Sequence, residues 1–240
     1  MDFLPPRPLS DYPGGPMASA RDLGTLIARL QAVPPFPPLA DYLAMVERML
    51  GAVRRSNTFA TGLLDPHQGA FERIREAYPW DASTHVSAHN DPNPRNIIFD
   101  GTRLWLIDWE TSYRNDPLTD VAILVDNVAP SSEIEDALLG AWLGRAPDRP
   151  TRARLLLMRP LTRLYYAGLL LSISTSRQPR TTPDSDLAAL TPAEFGAAAT
   201  SGALRGADML YALGKMHLAA FLAGVSVPGF DEALVLCAAQ

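Results

Sequence analysis

Cysteine and lysine are almost missing from this chain of 240 residues, which has one of each, Cys237 and Lys215. A single cysteine can form no disulfide bond within the chain, so the sequence predicts a protein of a reducing, cytoplasmic compartment. The N-terminus also lacks the basic start and unbroken apolar run of a targeting segment. We therefore expect the protein to stay in the compartment where it is synthesised.

Basic residues are scarce as well. The chain has 21 basic and 26 acidic residues, for a formal net charge of -5 and an isoelectric point near 5.3. A general nucleic-acid-binding protein needs a basic face that neutralises phosphates. The charge balance therefore argues against nucleic acid as a partner and suits cationic small molecules.

No apolar run predicts a membrane span. The most apolar stretch, residues 155–173, is interrupted by Arg159, Pro160 and Arg163, and arginine is costly at the centre of a bilayer. We interpret this stretch as a pair of buried helices and expect no membrane partner.

Apolar residues at helical spacing are abundant. Hydrophobic residues make up 47% of the chain, enough for the core of one large domain or two small ones. Leu23, Leu26, Ile27 and Leu30 recur on one helical face, with Ser19 as the N-cap. Helices are predicted over residues 19–33, 39–55, 65–78, 118–128, 131–143, 151–174, 204–222 and 230–238.

Other residues limit or interrupt these helices. Ser131 or Ser132 is the predicted N-cap of the fifth helix, and Pro160 predicts a bend in the sixth. Residues 1–16 hold five prolines and two glycines, which predicts an extended connector. Residues 177–190 combine prolines with many polar side chains and predict a mobile loop.

One stretch in the middle of the chain departs from the helical pattern. Two short apolar or β-branched runs, 96–99 and 104–107, flank Asp100-Gly101, a strong hairpin turn signal. A third run of this kind covers residues 85–88. The sequence therefore predicts a mainly α protein with one small β-hairpin (α+β), which carries polar residues at its base and edges.

Those polar residues form spaced motifs. HNDPNPRN contains His89, Asp91 and Asn96, LIDWE contains Asp108 one hairpin later, and DPLTDVA follows at residues 116–122. In this order the motifs resemble the catalytic and metal-binding segments of the aminoglycoside phosphotransferase and choline kinase family, distant relatives of protein kinases. The resemblance implies ATP-dependent transfer of a phosphoryl group to a hydroxyl of a small molecule, with Mg²⁺ as cofactor.

The resemblance also implies roles for individual residues. Asp91 would be the catalytic base that orients the substrate hydroxyl and accepts its proton. Asn96 and Asp108 would hold Mg²⁺ and, through it, the ATP phosphates, since hard oxygen ligands suit this ion. His89 would orient the loop rather than shuttle protons.

The remaining polar and aromatic residues have more than one interpretation. We expect structural roles for Asp116, as a helix N-cap, and for Asp120, as a partner of loop backbone amides. Glu110 is either a solvated carboxylate or a contact to a second metal ion. Five aromatic residues either line a site for a quaternary ammonium group or pack in the core: Trp105, Trp109, Tyr113, Tyr165 and Tyr166.

A complete kinase of this type also has an N-terminal β-rich lobe, with a phosphate-covering loop and a lysine that holds ATP. Here the segment from residue 3 resembles the hinge that leaves that lobe, and Lys215 lies in a late predicted helix. We therefore expect residues 1–16 to be a hinge-like connector and residues 17–240 the helical C-lobe of a protein-kinase-like phosphotransferase. The catalytic and metal-binding loops would lie within residues 85–120, and the N-terminal β-lobe would be absent.

Three functions fit this pattern. The first is a small-molecule kinase whose N-lobe is encoded upstream or supplied by a partner chain. The second is a catalytically impaired lobe that binds a small molecule or metal, or acts as an interaction module. The third is a metal hydrolase with a cluster of His85, His89, Asp91 and Asp108.

Partners follow from the same pattern. The acceptor would be a small alcohol, and four acidic residues after the catalytic segment suit a cationic amine: Asp126, Glu133, Glu135 and Asp136. The hinge-side face that would otherwise meet an N-lobe should be covered by a homodimer contact, by an N-lobe partner or by residues 1–16 folding back.

Overall fold

The computed structural model of the chain describes residues 7–239. Within this range it has nine α-helices and four short β-strands. The helices are α1 (Gly15–Gln31), α2 (Tyr42–Arg55), α3 (Asp65–Ala77), α4 (Leu118–Val128), α5 (Ser132–Leu143), α6 (Arg149–Arg177), α7 (Pro192–Thr200), α8 (Gly206–Val225) and α9 (Phe230–Ala238). The strands are β1 (Val86–Ala88), β2 (Ile97–Phe99), β3 (Leu104–Leu106) and β4 (Tyr113–Asn115). The predicted class, mainly helical with a small antiparallel hairpin, is confirmed.

The chain divides into two compact units. Unit 1 comprises Met1–Leu39 and Pro79–Arg159, and unit 2 comprises Ala40–Tyr78 and Pro160–Gln240. The residues expected to form one helical lobe, 17–240, are therefore shared between two units. All four strands belong to unit 1.

In unit 1, α1 packs closely against α5. Gly24 permits this approach, because a Cβ atom at that position would lie 2.3 Å from the backbone oxygen of Leu138. The α1 helix also lies against β1. The buried apolar side chains of this unit include Leu23, Ile27, Val121, Leu124, Leu138 and Leu139. The strands thus rest on a close-packed helical base.

In unit 2, α3 packs against both α8 and α9. Gly168 of α6 lies against α2, because a Cβ atom there would lie 2.7 Å from Cβ of Met49. The fully buried side chains include Phe71, Ile74, Leu218, Phe221 and Phe230.

The segment between α6 and α7 is irregular, in agreement with the loop predicted over residues 177–190, and it is anchored at Asp184. The Asp184 backbone N–H donates to the Thr58 carbonyl at 2.9 Å. Its carboxylate accepts hydrogen bonds from the Tyr211 hydroxyl at 2.7 Å and the Lys215 ammonium at 2.9 Å. These two donors lower the pKa of Asp184 to about 2. The sequence interpretation missed the anchor because both donors lie on α8.

The first helix begins earlier than predicted. α1 starts at Gly15, after Gly14 in a left-handed conformation, and Pro16 occupies its first turn. Proline is accepted there because the first N–H groups of a helix have no partner within it. Ser19 is therefore inside the helix, where its hydroxyl donates to the Pro16 carbonyl at 3.0 Å, and its assignment as N-cap is wrong.

The connector predicted over residues 1–16 is only partly extended. Residues 9–11 form a turn of 3₁₀ helix, and the Arg7 N–H donates to the Phe99 carbonyl at 2.8 Å. The connector residues 1–6 lie outside the described part of the chain.

Two other predicted features differ. Residues 155–173 belong to α6, a single helix of 29 residues that contains Pro160, rather than to a helix pair. The sequence interpretation also missed α7, although its N-terminus carries a capping box between Thr191 and Glu194. Of the two candidate caps of α5, Ser131 is the one whose hydroxyl accepts a helix N–H, that of Ile134.

The strands form two antiparallel pairs where one hairpin was predicted. β2 and β3 form that hairpin, and Gly101 in its turn has φ 99°. β1 pairs with β4, so Val86 lies opposite Asn115 and Ala88 opposite Tyr113. β4 is a run of three residues without apolar alternation, which left no pattern for its prediction.

Among residues 7–239, no single helix is long and apolar enough to cross a membrane. The pair α8 and α9 passes that test of length and composition together, with a bend of 76° between them.

Candidate active site

The candidate site is built around the end of the β2–β3 hairpin. Beyond β3, the Ile107 N–H donates to the Asn96 carbonyl at 3.0 Å, which continues the hairpin ladder by one step. The Ile107 carbonyl accepts a hydrogen bond from Nε2 of His89 at 2.8 Å. Ile107 therefore connects Asp108, its neighbour in sequence, to both the Asn96 side and the His89–Asp91 side of the site.

Asp91 is half-buried, and amide groups contact both of its carboxylate oxygens. The Asn93 amide donates to Oδ1 at 2.7 Å, and the Asn96 amide donates to Oδ2 at 3.1 Å. The Asn96 amide also donates to the Asp91 backbone oxygen at 2.9 Å. These bonds restrict the rotation of the carboxylate while part of it stays open to solvent.

Asn96 and Asp108 supply the oxygen atoms that suit a hard cation. Because the Asn96 amide nitrogen faces Asp91, its Oδ1 is the atom left for a ligand. Asp108 is exposed, has φ 64° in the left-handed region, and accepts no hydrogen bond from residues 7–239. A non-glycine residue in this conformation is uncommon, and such residues are enriched at functional sites. An amide oxygen and an unpaired carboxylate fit the ligand preferences of Mg²⁺.

His89 is fully buried and is a bridge between segments. A carbonyl can only accept, so the Nε2 atom that contacts Ile107 carries a proton. The imidazole ring lies 4.8 Å from the ring of Trp109, centre to centre. The His89 backbone oxygen accepts a hydrogen bond from the Thr111 hydroxyl at 3.1 Å. The structure thus places His89 as a support for the segment that carries Asp108.

Asp120, in the first turn of α4, lies fully buried beneath the loop. Its carboxylate accepts the backbone N–H groups of His89 at 2.8 Å and Asn90 at 2.7 Å. Burial raises the pKa of Asp120 to about 6, although the two backbone hydrogen bonds act in the opposite direction. The pair of amides just before Asp91 therefore bonds to a carboxylate whose pKa is raised to about 6.

This raised pKa predicts a pH-dependent contribution to stability. Between about pH 4 and 6 the folded protein binds a proton at Asp120 that the unfolded chain does not. The contribution is complete below about pH 4 and is lost as the pH rises through about 6, on the order of 1–3 kcal/mol in all. We expect the substitution Asp120→Asn to remove it, as measured by urea unfolding at several pH values.

Other groups titrate over the same range, so the difference between the two proteins is the quantity to interpret. Unfolding free energies that run parallel from about pH 4 to about pH 7 would show that Asp120 keeps an ordinary pKa.

Asp116 is also fully buried, just before α4. Its Oδ1 accepts the Leu118 N–H at 2.8 Å and its Oδ2 accepts a hydrogen bond from Arg154 at 2.7 Å. The first contact is of the kind that caps a helix, although the residue before α4 is Pro117. Asp116 thus joins the start of α4 to α6 within unit 1.

Sequence reasoning missed three asparagines of the site. Asn90 and Asn115 are buried and share a hydrogen bond, and Asn93 contacts Asp91. Their only signal in sequence is the repetition of asparagine within and after HNDPNPRN. Asn90 has φ 64°, and asparagine is among the few residues that tolerate that conformation.

Glu110 and the aromatic candidates are in different environments. Glu110 is exposed and makes no hydrogen bond or ion pair with residues 7–239. Trp109 is 45% exposed, whereas Tyr113 is buried in the core. One face of Trp105 is covered by the guanidinium of Arg103 at 3.7 Å. In unit 2, Tyr165 and Tyr166 pack against each other and are half-buried.

The acidic residues considered for an amine substrate are largely paired with arginines. Arg159 contacts Asp126 at 2.6 Å and Glu135 at 3.3 Å. Arg152 contacts Asp136 at 2.8 Å, and Glu133 is exposed. Three of the four carboxylates already have a cationic partner within unit 1, which weakens the expectation that this group binds an amine.

The geometry does not form the cluster that a metal hydrolase would need. Nε2 of His89 is occupied by the Ile107 carbonyl, and His85 packs edge-on against Trp80. Among residues 7–239 there is no group of three or more His, Cys, Asp or Glu side chains placed to hold one metal ion. The proposed set of His85, His89, Asp91 and Asp108 is therefore not a metal centre of that type.

Comparison with known proteins agrees with the phosphotransferase motifs. Residues 1–156 match the model of the phosphotransferase enzyme family. Protein LicA of Haemophilus influenzae is 45% identical over 54 residues, a stretch that covers 22% of this chain and 20% of that protein. The match thus spans about a fifth of the curated relative.

Solved structures share the fold. A choline/ethanolamine kinase family protein from Mesorhizobium loti superimposes with a TM-score of 0.69 at 19% identity, over 93% of this chain and 68% of that one. An ADP-bound aminoglycoside phosphotransferase, APH(2'')-Ib, gives a TM-score of 0.53 at 17% identity, over 75% and 65% of the two chains.

Proposed function

Because the chain belongs to the phosphotransferase enzyme family, whose model it matches over residues 1–156, we propose that it transfers a phosphoryl group from ATP to a hydroxyl group of a small molecule. The observation that carries this proposal is the connection of Asp91, Asn96 and Asp108 through Ile107 and the hairpin. Phosphoryl transfer depends mainly on positioning and on charge stabilisation, and such an arrangement supplies both.

In this reaction Asp91 acts as the base. Its carboxylate is held by two amides and is half-exposed, so one oxygen can approach an incoming hydroxyl while its orientation is maintained. It orients the attacking oxygen and takes its proton as the new oxygen–phosphorus bond forms and the bond from the γ-phosphorus to the oxygen of the departing ADP breaks. Asn93 and Asn96 hold the carboxylate in place.

Asn96 and Asp108 are the residues that would hold Mg²⁺, through Oδ1 and the carboxylate, respectively. When bound, the ion offsets negative charge on the phosphate oxygens of ATP. Asp108 keeps an unpaired carboxylate at an uncommon backbone conformation, which supports this role. We propose that the exposed carboxylate of Glu110 is solvated and does not contact a metal ion.

In our proposal, the lysine that holds the ATP phosphates lies outside residues 7–239. Lys215 is 8% exposed and is paired in unit 2 with Asp184 at 2.9 Å and Asp186 at 3.3 Å. A lysine committed to two carboxylates is a poor phosphate ligand. We propose that an N-lobe, encoded upstream or carried by a partner chain, completes the nucleotide site.

We propose that this partner also covers exposed apolar side chains of unit 1. Val33 is 42%, Leu39 71% and Trp109 45% exposed. Burial of such residues is favourable in proportion to the apolar area removed from water. An N-lobe or a second copy of the chain would cover them.

The acceptor is a small alcohol. Since Asp126, Glu135 and Asp136 are paired with arginines, the acceptors to be tested include both cationic and neutral alcohols. A role as a binding module without catalysis is not favoured, because the comparisons point to kinases.

Turnover tests the proposal. The chain as given, and the same chain extended by any in-frame coding sequence upstream, would be incubated with ATP, Mg²⁺ and a panel of amino alcohols, quaternary ammonium alcohols, aminoglycosides and neutral sugars. We expect Mg²⁺-dependent release of ADP with at least one acceptor, and phosphorylated product by mass spectrometry. Omission of Mg²⁺ is the control. Absence of acceptor-dependent ADP release in both proteins would overturn the proposal.

A further inference from the structure

We propose that Asn90 is a positioning residue that fixes the segment carrying Asp108 relative to Asp91. The inference deepens the proposed phosphotransferase function and rests on it for the role of Asp91 and Asp108. Asn90 itself contacts neither substrate nor metal in this proposal. It acts through the backbone that bears the functional groups.

The side chain of Asn90 joins two segments that are distant in sequence. It is 6% exposed, and its amide nitrogen donates to the carbonyls of Thr111 at 3.0 Å and Tyr113 at 3.2 Å. A third carbonyl, that of Ala88, lies at 3.4 Å. An amide has two N–H groups, so the two shorter contacts use its full donor capacity. Loss of this side chain would remove both of these hydrogen bonds.

These contacts hold the Asp108 segment from one side, and His89 holds it from the other. His89 bonds the Ile107 carbonyl, immediately before Asp108, and Asn90 bonds the Thr111 carbonyl, three residues after it. Adjacent residues before Asp91 thus fix both ends of the short turn that carries Asp108. The position of one functional carboxylate is therefore coupled to that of the other.

Asn115 orients the Asn90 amide. The Asn115 amide nitrogen donates to Oδ1 of Asn90 at 2.7 Å, and its own oxygen accepts the Asp116 backbone N–H at 2.9 Å. Because Oδ1 of Asn90 is occupied by a donor, its nitrogen is the atom that faces the carbonyls. These hydrogen bonds connect Asn90 through Asn115 to Asp116, just before the start of α4, and so restrict the orientation of the Asn90 amide.

The backbone of Asn90 gives a way to separate its two contributions. Its φ of 64° lies in the left-handed region, which glycine adopts freely and alanine does not. Its N–H bonds to Asp120, and a glycine would keep that bond. The variant Asn90→Gly therefore removes the side chain alone, whereas Asn90→Ala disturbs side chain and backbone together.

We expect Asn90→Gly to lower kcat about 10- to 100-fold and to raise the Mg²⁺ concentration for half-maximal rate by a similar factor, as for groups that orient metal ligands. KM for the alcohol should change about threefold or less, because the contacts act on the Asp108 side. Asn115→Ala should shift the same two quantities in the same direction. A purely structural role would lower the amount of folded enzyme without this separation of kcat from KM.

The matched control is Asn57→Gly. Asn57 is exposed, lies in unit 2 and has φ 58°, so this variant makes the same change at the same backbone conformation. We expect it to leave kcat, KM and the Mg²⁺ dependence at wild-type values. Thermal unfolding of each variant reports whether it is folded.

Two results would overturn the inference. The first is that Asn90→Gly matches the wild type in kcat and Mg²⁺ dependence while Asn90→Ala is impaired. Asn90 would then be needed only because it tolerates the left-handed conformation, and its side chain would not position Asp108. The second is that Asn90→Gly lowers kcat and the affinity for the alcohol by equal factors. Asn90 would then not act specifically on the segment that carries Asp108.

Hydrogen–deuterium exchange separates this inference from the proposed function. Peptides that cover residues 107–113 should exchange faster in Asn90→Gly than in the wild type or in Asn57→Gly, whether or not an acceptor has been found. If neither the chain as given nor its extended form shows turnover but exchange is faster, the phosphotransferase proposal fails and the positioning contact stands. Unchanged exchange in this segment means that Asn90 does not hold it.

Discussion

Replacing Asp91 by asparagine should lower kcat about 10²- to 10⁴-fold, the range of a general base positioned at a reacting group. Asparagine has nearly the same shape, so the turn that contains it should be retained. It cannot accept a proton, and its own N–H₂ group would face the donor amides of Asn93 or Asn96. Initial-rate kinetics of ADP release, with the acceptor varied, would separate the fall in kcat from any change in KM.

The control for this substitution is Asp231→Asn, a surface aspartate in unit 2 whose side chain is 85% exposed and paired with Arg73. Exposed ion pairs contribute little to stability, and we expect kcat at the wild-type value. A kcat for Asp91→Asn within about threefold of the wild type would contradict the assignment of Asp91 as base, since a general base contributes at least about 10²-fold.

The parts of the fold that sequence predicts well are those fixed by neighbouring residues. The hairpin turn at Asp100-Gly101 follows from the steric freedom of glycine, and Gly101 has φ 99°. The helix α9 was predicted with its observed bounds, Phe230–Ala238, because its apolar positions repeat at helical spacing. In both cases the determining interactions lie within a few residues.

The parts that sequence predicts poorly depend on contacts between distant residues. β4 forms because Tyr113–Asn115 finds β1, which ends 25 residues earlier, and no local pattern marks it. The anchor of the segment between α6 and α7 requires Lys215 and Tyr211 from α8. Such pairings become visible only when the chain is folded.

The same distinction applies to the candidate site. The resemblance of HNDPNPRN and LIDWE to a family directs attention to Asp91, Asn96 and Asp108, whose chemistry is evident from residue type. The supports are less evident, because Ile107 acts through its backbone and Asn115 acts on another asparagine. A backbone group leaves no trace in residue identity, so these contacts had to come from the structure.

Replacing Asp108 by asparagine should lower the rate about 10²- to 10⁴-fold, because a bound metal ion contributes several kcal/mol of charge stabilisation and Asp108 supplies its charged ligand. The fold should persist, since asparagine tolerates the left-handed conformation that Asp108 adopts at φ 64°. The Mg²⁺ concentration for half-maximal rate should rise together with the fall in kcat. Steady-state rates over a Mg²⁺ titration at saturating ATP and acceptor measure both quantities.

Glu110→Gln provides the comparison for Asp108→Asn, because Glu110 is an exposed carboxylate two residues away on the same segment. If Glu110 is solvated, as we propose, its substitution should reduce the rate less than about tenfold, since the charge-stabilising contribution of a metal ligand is several kcal/mol. A larger loss for Glu110→Gln than for Asp108→Asn would exchange the two roles. Wild-type Mg²⁺ dependence in both variants would place the metal ligands elsewhere, and the unpaired carboxylate of Asp108 would then need another explanation.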